Sequence, residues 1–313
     1  MKPLKTDLLV TGGGGLFGYA LKEICPRAAY VSSRDYDLTD NCRVQAMFEK
    51  FRPEKVIHLA AKVAGVKTNA EKIADMFTVN AQINTNVLAA AQAFGVRKLV
   101  AVLSNCVFKE HPEAPPTEKD IHKDMPYHGH LGYGYAKRML DLQIHLLHKQ
   151  YGCKFTSVTP VTIFGPNDNW KIGEGHVVGS LIHKCYLAKK TNAPFEIWGS
   201  GNAVRQFIYS HDMARILLET LDKYDGQETI IIAPDGGTSI RTLAETIAKA
   251  MDFRGNMVFE KDKPEGESVR VLNNAKFKSL FPDFKFTPLE DALRSTVRWF
   301  QDNYSRMPAT GRF

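Results

Sequence analysis

The chain has 313 residues, of which 44% are hydrophobic and 24% charged, and its formal net charge is +7. This length and composition are typical of one large or two joined globular domains, and they exclude a disordered, collagen-like or disulfide-stapled protein. The basic excess is small and the sequence contains no basic tail or nucleic-acid-binding motif, so a nucleic-acid partner is not expected.

The first half of the sequence alternates short apolar runs with longer stretches of helical spacing. The apolar runs predict five strands, at Leu8–Val10, Ala29–Val31, Val56–Leu59, Leu99–Leu103 and Phe155–Val158. The stretches between them predict four helices, at Leu16–Ile24, Val44–Phe51, Ala74–Phe94 and Tyr133–Tyr151. This alternation predicts right-handed crossovers and a doubly wound parallel sheet of the α/β class.

The second half is less regular, and it predicts a smaller α/β lobe. Polar segments rich in proline and glycine surround three helical stretches, at His211–Leu221, Ser239–Met251 and Pro288–Tyr304. No internal repeat or low-complexity segment interrupts them.

A glycine-rich turn between the first strand and the first helix carries the strongest local signal. Gly12, Gly15 and Gly18 are spaced three residues apart. Glycines allow the backbone to turn tightly and to approach a pyrophosphate, whose charge is met by the helix N-terminus. An ordinary tight turn can look the same, but the strand–turn–helix context predicts a dinucleotide site that includes Leu16 and Phe17.

The end of the second strand bears on which dinucleotide is bound. An acidic residue there would bind the ribose 2′-hydroxyl of NAD, whereas this chain has two serines followed by Arg34. Hydroxyls and a guanidinium suit a 2′-phosphate, so we predict NADP. Two alternatives weaken the prediction, because Asp35 can neutralise Arg34 and Arg34 can be a solvated loop charge. Asp37 and Leu38 follow in a turn of the kind that flanks the adenine.

Tyr133 and Lys137 are four residues apart in a helical stretch, so they lie on one helix face. An ammonium near a phenol favours the phenolate and lowers its pKa, which would let Tyr133 transfer a proton near neutral pH. Ser104 ends the fourth strand, where its hydroxyl can bind the oxygen that Tyr133 protonates. Taken singly, these residues read equally as a surface pair and a strand-capping serine.

Together these features resemble the extended short-chain dehydrogenase/reductases, a family of nucleotide-sugar epimerases, dehydratases and reductases. The resemblance includes the glycine turn, Ala60 after the third strand, the Ser104, Tyr133 and Lys137 set, and Phe164-Gly165-Pro166. It implies a Rossmann-type NADP-binding domain over residues 1–165, with segments near 205–235 returning to it. Residues 166–313 would then form most of a substrate-binding lobe for a nucleoside-diphosphate sugar.

Cys106 and His176 indicate a branch of this family. The stretch after Ser104 has no acidic residue, and a thiol can remove a proton next to a ketone. A cysteine and a histidine on opposite sides of a sugar ring would supply the base and the acid that invert a stereocentre.

This pair resembles that of the branch that epimerises C-3 and C-5 of GDP-4-keto-6-deoxy-D-mannose and then reduces its C-4 ketone with NADPH. The resemblance implies that Ser104, Cys106, Tyr133, Lys137 and His176 are catalytic. Tyr133, Lys137 and His176 would also contact the cofactor.

The resemblance also extends to the substrate and to assembly. Basic and aromatic residues would hold the GDP-sugar, although each reads equally as a surface charge or a core aromatic: Lys184, Trp198, Arg205 and Arg270. The family often forms homodimers through two helices of each subunit. The stretches Ala74–Phe94 and Tyr133–Tyr151 have the apolar content for this, and equally for an ordinary buried face.

Two alternative functions remain open at this stage. A nucleotide-sugar 4-epimerase would retain its NAD and would not need Cys106 or His176. A catalytically silent NADP-binding protein would use the fold for binding alone. No metal is expected, because the histidines lack accompanying cysteine or carboxylate ligands at suitable spacing.

The cysteines and the apolar runs indicate the cellular compartment of the protein. None of the five cysteines forms a Cys-x-x-Cys pair and their number is odd, which favours a reducing compartment. The sequence has no long apolar segment and no signal-peptide pattern, so neither secretion nor a membrane partner is expected. We predict a cytoplasmic protein.

Overall fold

The computed structural model describes residues 6–263, 266–309 and 311. Its strands, in chain order, are β1 (Leu8–Thr11), β2 (Ala29–Val31), β3 (Lys55–His58), β4 (Lys98–Val102), β5 (Phe155–Pro160), β6 (Thr162–Phe164), β7 (Phe195–Trp198), β8 (Val204–Arg205), β9 (Phe207–Tyr209), β10 (Ile230–Ile232), β11 (Thr238–Ser239), β12 (Met257–Glu260) and β13 (Val269–Arg270).

The α-helices, in chain order, are α1 (Leu16–Ile24), α2 (Asn41–Phe51), α3 (Val66–Glu71), α4 (Ile73–Ala93), α5 (Leu131–Tyr151), α6 (Val177–Thr191), α7 (Ser210–Lys223), α8 (Ile240–Ala250), α9 (Ala275–Leu280) and α10 (Leu289–Asn303). All five predicted strands and all seven predicted helices overlap one of these elements.

The main sheet has six parallel strands in the order β10-β5-β4-β3-β1-β2. Helices cover both of its faces, so β1 and β4 are buried along their whole length, as their continuous apolar runs predicted. The strand order reverses between β1 and β3. In sheets of this kind the ligand crevice opens at such a reversal, beyond the carboxyl ends of the strands.

The smaller elements surround a second apolar core. Trp170, Phe195 and Phe300 are fully buried there, among side chains from α6, α8 and α10. Three short sheets accompany this core: β11-β8-β13, β12-β7 and β6-β9. The strand β10 lies between β9 and β11 in sequence, yet it pairs with β5 at the edge of the main sheet. The domain boundary near residue 165 stays a prediction.

Helices α4 and α5 lie side by side against the main sheet and contact each other closely. Ile83 and Val87 of α4, and Leu140 and Ile144 of α5, are buried in the main core. The sequence left two alternatives for the apolar residues of these helices, a dimer interface and an ordinary buried face. These four residues form an ordinary buried face. None of the described helices is both long and apolar enough to span a lipid bilayer.

Candidate active site

The glycine turn has the shape of a phosphate-binding loop. Gly12 adopts a positive φ of 74°, and a Cβ there would lie 2.8 Å from the backbone nitrogen of Ala60. A Cβ on Gly18 would lie 2.5 Å from the backbone of Gly13, so α1 can approach the turn only with glycine at this position. Helix α1 begins after Gly15 without a side-chain cap. Its first N–H groups therefore remain available for an anion.

The loop after β2 lies next to this turn. A Cβ at Gly14 would be 3.5 Å from the Cβ of Ser32, and Arg34 is exposed on the same loop. Asp35 accepts hydrogen bonds from the backbone nitrogen and the hydroxyl of Ser32 at 2.8 and 2.7 Å. These bonds hold the pKa of Asp35 below its usual value. The Asp35 carboxylate is thus engaged by Ser32.

The turn that follows is fixed by local hydrogen bonds. Asp37 accepts from the backbone nitrogen and the hydroxyl of Thr39 at 3.0 and 2.7 Å. Leu38 is buried, and its carbonyl accepts from Asn86 of α4 at 3.0 Å. The turn therefore presents a fixed edge beside the loop that carries Arg34.

Tyr133 and Lys137 lie on the same face of α5, as predicted. The ammonium of Lys137 lies 5.7 Å from the centroid of the Tyr133 ring and donates a hydrogen bond to the carbonyl of Val102 at 2.7 Å. Burial lowers the pKa of Lys137 to about 8. Burial also raises the pKa of Tyr133, and the nearby Cys106 raises it further. The expected lowering of the Tyr133 pKa is therefore wrong, because desolvation by burial is the largest influence on the phenol and raises its pKa.

A chain of buried polar groups connects β1 to α5. The tautomer of His58 follows from its partners, because the Asn84 Oδ1 atom can only accept a hydrogen bond. Nε2 of His58 therefore donates to Asn84 at 3.1 Å, and Nδ1 accepts from the Thr11 hydroxyl at 2.7 Å. Asn84 in turn donates to the carbonyl of Ala136, next to Lys137. Burial and the charge of Lys137 lower the pKa of His58 to about 3, so its imidazole is neutral.

Ser104 and Cys106 lie where β4 ends, on a short 3-10 turn. The Ser104 hydroxyl accepts a hydrogen bond from the backbone nitrogen of Cys106 at 3.3 Å and so caps the turn. A Cβ at Gly134 would lie 2.9 Å from the carbonyl oxygen of Cys106, so α5 packs directly on this turn. Burial raises the pKa of the thiol, while Arg270 and the Ser104 hydroxyl oppose that change.

His176 lies directly before α6, and its side chain is half exposed. Its Nδ1 is 3.6 Å from an oxygen of Asp168, a carboxylate whose side chain is only 3% exposed. That Asp168 oxygen accepts from the backbone nitrogen of Asn169 at 2.7 Å, whereas the other is buried with no hydrogen-bond partner among the described residues. Asn167, on the same loop, donates to the carbonyl of Gly14 in the glycine turn at 3.3 Å.

His130 connects the Cys106 side of the site with the His176 side. Its ring stacks on Tyr127, with 5.4 Å between the ring centroids. Burial and, to a smaller extent, the charges of Arg270 and His176 together lower its pKa to about 4. His130 and Asp168 are not among the site residues predicted from the sequence. Their positions, three residues before Tyr133 and eight before His176, are the only signal that could have pointed to them.

The four predicted substrate residues form two pairs. The ammonium of Lys184 lies 4.4 Å from the centroid of the Trp198 ring, which is 45% exposed. Arg205 and Arg270 are register partners on the parallel strands β8 and β13. The Arg270 guanidinium donates a hydrogen bond to the carbonyl of Asn105, in the turn that carries Cys106.

The comparisons with known proteins agree with this geometry. A family model described as the NAD dependent epimerase/dehydratase family matches residues 8–233. The GDP-L-fucose synthase of Dictyostelium discoideum is 40% identical over 309 residues, which cover 96% of this chain and 97% of that protein. The probable GDP-L-fucose synthase of Drosophila melanogaster is 37% identical, with coverage of 96% and 98%.

A solved structure shares the fold. The crystal structure of a GDP-L-fucose synthetase from Naegleria fowleri bound to NADP superposes with a TM-score of 0.91 at 40% identity, and the match covers 97% of this chain and 96% of that one. The Rossmann-type parallel sheet predicted from the sequence is thereby confirmed. On the family model and these relatives, the chain belongs to the NAD-dependent epimerase/dehydratase family.

Proposed function

We propose that this protein converts GDP-4-keto-6-deoxy-D-mannose to GDP-L-fucose, by epimerisation at C-3 and C-5 followed by NADPH-dependent reduction at C-4. The observation that carries the proposal is that α5, which bears Tyr133, packs directly on the turn that bears Cys106, where a Cβ at Gly134 would lie 2.9 Å from the Cys106 carbonyl oxygen, so that a carbon base and a proton donor share one site. The full-length similarity to GDP-L-fucose synthases supports the same substrate.

NADP fits the cradle at the glycine turn. The uncapped start of α1 suits the pyrophosphate, and the exposed Arg34 suits a 2′-phosphate. When bound, the cofactor supplies a hydride for the C-4 carbon. The residues proposed to hold it are Gly12, Gly15, Leu16, Phe17, Gly18, Arg34, Asp37, Leu38, Ala60, Tyr133, Lys137 and His176.

Epimerisation uses the acidity that the C-4 ketone gives to the hydrogens on C-3 and C-5. Cys106, as its thiolate, removes one such proton, and the electron pair moves onto the ketone oxygen. His176, as imidazolium, returns a proton to the carbon from the opposite face. Because burial keeps the Cys106 thiol protonated at rest, this step should become faster as the pH rises toward the pKa of the thiol.

Reduction uses the same ketone and a different proton donor. Tyr133 gives its phenolic proton to the C-4 oxygen as the hydride arrives at C-4, and the Ser104 hydroxyl hydrogen-bonds that oxygen. The raised pKa of Tyr133 suits this role, because a proton donor must be protonated before it acts. Lys137 is proposed to orient the cofactor ribose and to stabilise the phenolate that forms.

The substrate is proposed to bind across the second lobe. Lys184 and Trp198 would contact the GDP part, and Arg205 and Arg270 would contact the pyrophosphate. The paired positions on β8 and β13 support the second assignment, because the register places two positively charged residues side by side.

One incubation tests the whole proposal. The protein is mixed with GDP-4-keto-6-deoxy-D-mannose and NADPH in deuterated water. The expected product is GDP-L-fucose with deuterium at C-3 and C-5, and one NADPH is oxidised for each product molecule. A 4-epimerase would form product without net NADPH oxidation, and a silent binding protein would form none.

Asp168 gives a first prediction within this mechanism. Replacing Asp168 with Asn removes the charge that faces Nδ1 of His176, so the imidazolium form becomes less stable. We expect the rate of epimerisation to fall about tenfold, which corresponds to about 1.4 kcal/mol of lost ion-pair stabilisation. The high-pH limb of the rate profile should also move to lower pH. Deuterium uptake measured by NMR from pH 6 to 9 checks both effects.

The matched control is Asp283→Asn, because Asp283 is an exposed aspartate outside this site. It should leave the rate and the profile unchanged. An Asp168→Asn enzyme with the wild-type pH profile would remove Asp168 from the mechanism.

We further propose that the protein is a homodimer, formed through α4 and α5. The supporting observation is an apolar stripe on the outer side of α5, formed by Tyr135, Met139, Leu142 and Leu146, which are between 39% and 54% exposed. These residues differ from the buried apolar set considered in the sequence. A second copy of the same helices would cover the stripe.

Adding charge to the stripe provides the test. The double substitution Leu142→Glu and Leu146→Glu should convert the dimer to a monomer, because a charged interface core is strongly disfavoured. Gln150→Glu adds one charge at an exposed position of the same helix and should leave the dimer intact. Sedimentation velocity measures both. A wild-type chain that is monomeric at micromolar concentration would refute the dimer.

The proposal places the enzyme in the cytoplasm. All five cysteines are free thiols in the structure, including the partly exposed Cys106. A reducing compartment would preserve the thiol that the mechanism needs.

A further inference from the structure

Glu267 is a buried carboxylate that the proposed mechanism does not use. Only 5% of the residue is exposed. One oxygen accepts a hydrogen bond from the Arg270 guanidinium at 2.5 Å, and the other accepts from the backbone nitrogen of His111 at 2.9 Å. Both oxygens are therefore engaged, and the carboxylate fixes the end of the arginine side chain.

Arg270 reaches from this carboxylate to the turn that carries the reactive thiol. Its second terminal nitrogen donates to the carbonyl of Asn105 at 2.8 Å. Its guanidinium also lies 4.9 Å from the centroid of the Tyr127 ring. The backbone nitrogen of Tyr127 donates to the carbonyl of Cys106 at 3.2 Å. Arg270 thus contacts Asn105, the residue before Cys106, and also the ring of Tyr127, whose backbone nitrogen bonds to Cys106.

Several groups face the Cys106 thiol, and two of them carry a full charge. Burial is the largest influence and raises the pKa of the thiol. The positive charge of Arg270 and the Ser104 hydroxyl lower that pKa, whereas the negative charge of Glu267 raises it. Tyr127 and Tyr133 also interact with the thiol, and burial keeps both phenols protonated.

We propose that Glu267 and Arg270 form a positioning pair, which holds one positive charge against the Cys106 turn and sets the pH at which the thiol loses its proton. The inference deepens the proposed function and rests on it for its catalytic meaning. Arg270 would then stabilise the thiolate of Cys106 and also contact the substrate pyrophosphate. Glu267 would act through Arg270 and would not touch the substrate.

The two members of the pair should act in opposite directions. Arg270→Met removes the positive charge and leaves Glu267 negative, so the thiol should titrate at higher pH. Glu267→Gln removes the negative charge and leaves Arg270 on Asn105, so the thiol should titrate at lower pH. We expect each midpoint to move by about one pH unit, which is about a tenfold change in the thiolate fraction below the midpoint. A merely structural role would move both midpoints in the same direction.

The test is the alkylation rate of Cys106 by iodoacetamide between pH 6 and 10, followed by mass spectrometry of the peptide that contains it. Cys42 is exposed on α2 and serves as the control within each sample, because its rate should not change. Arg270→Lys keeps a positive charge but cannot make both hydrogen bonds, so its midpoint should rise by less than that of Arg270→Met. Midpoints of Arg270→Met and Glu267→Gln that move in the same direction, or that do not move, would overturn the proposal.

If Glu267→Gln does not give folded protein, Arg270→Met and Arg270→Lys decide the matter, because the loss of charge should raise the midpoint more than the change of side-chain shape does. Deuterium uptake at C-3 and C-5 is measured on the same variants. Opposite shifts in alkylation with an unchanged pH profile of uptake would support the pair and would contradict Cys106 as the carbon base.

Discussion

Replacing Tyr133 with Phe is expected to lower NADPH-dependent reduction by about 10²- to 10⁴-fold, the usual contribution of a positioned general acid. The ring is 8% exposed and Phe has the same shape, so the fold should be retained. Without the phenolic proton, the oxyanion that forms at C-4 has no donor, and hydride transfer becomes unfavourable. The measurement is the rate of NADPH oxidation at saturating keto-sugar, together with deuterium uptake at C-3 and C-5.

Uptake should continue in this variant, because Cys106 and His176 are unchanged and the C-4 ketone persists. Tyr135→Phe is the matched control, since Tyr135 lies two residues further along α5 and is 39% exposed on the outer side. It should reduce the substrate at the wild-type rate. Wild-type NADPH oxidation in Tyr133→Phe would show that another group supplies the proton.

The features that the sequence predicted correctly are those carried by local patterns. Gly12 and Gly18 are needed by the backbone itself, because any side chain there would meet Ala60 or Gly13. The i, i+4 spacing of Tyr133 and Lys137 fixes their common face wherever α5 lies. Such constraints act within a few residues or one crossover, so the glycine turn and the common helix face can be predicted from the sequence alone.

The features that the sequence did not predict depend on long-range packing. Arg270 reaches the Cys106 turn from 165 positions further along the chain, where its hydrogen bond to Asn105 is formed. No periodicity in either segment reports this contact. The protonation of Tyr133 was missed for a similar reason, because the degree of burial decides it and a pair spacing does not.

Replacing Cys106 with Ser is expected to abolish epimerisation while NADPH binding is retained. A serine hydroxyl keeps the polar contact to the turn, but it is far too weak an acid to supply an anion at neutral pH. The loss should reach about 10²- to 10⁴-fold in deuterium uptake at C-3 and C-5, the range of a positioned general base. Uptake is measured by NMR, and NADPH affinity by fluorescence titration.

The matched control is Cys42→Ser, because Cys42 is an exposed thiol on α2 and is not assigned to the chemistry. It should take up deuterium at the wild-type rate. The glycine turn is untouched in both variants, so a Cys106→Ser protein that no longer binds NADPH would indicate a structural role for the thiol. Wild-type uptake in Cys106→Ser would exclude the thiol as the base, and the proposed chemistry would reduce to reduction at C-4 alone. A loss of deuterium uptake confined to Cys106→Ser would identify the thiol as the base that removes the protons on C-3 and C-5, next to the ketone that is later reduced.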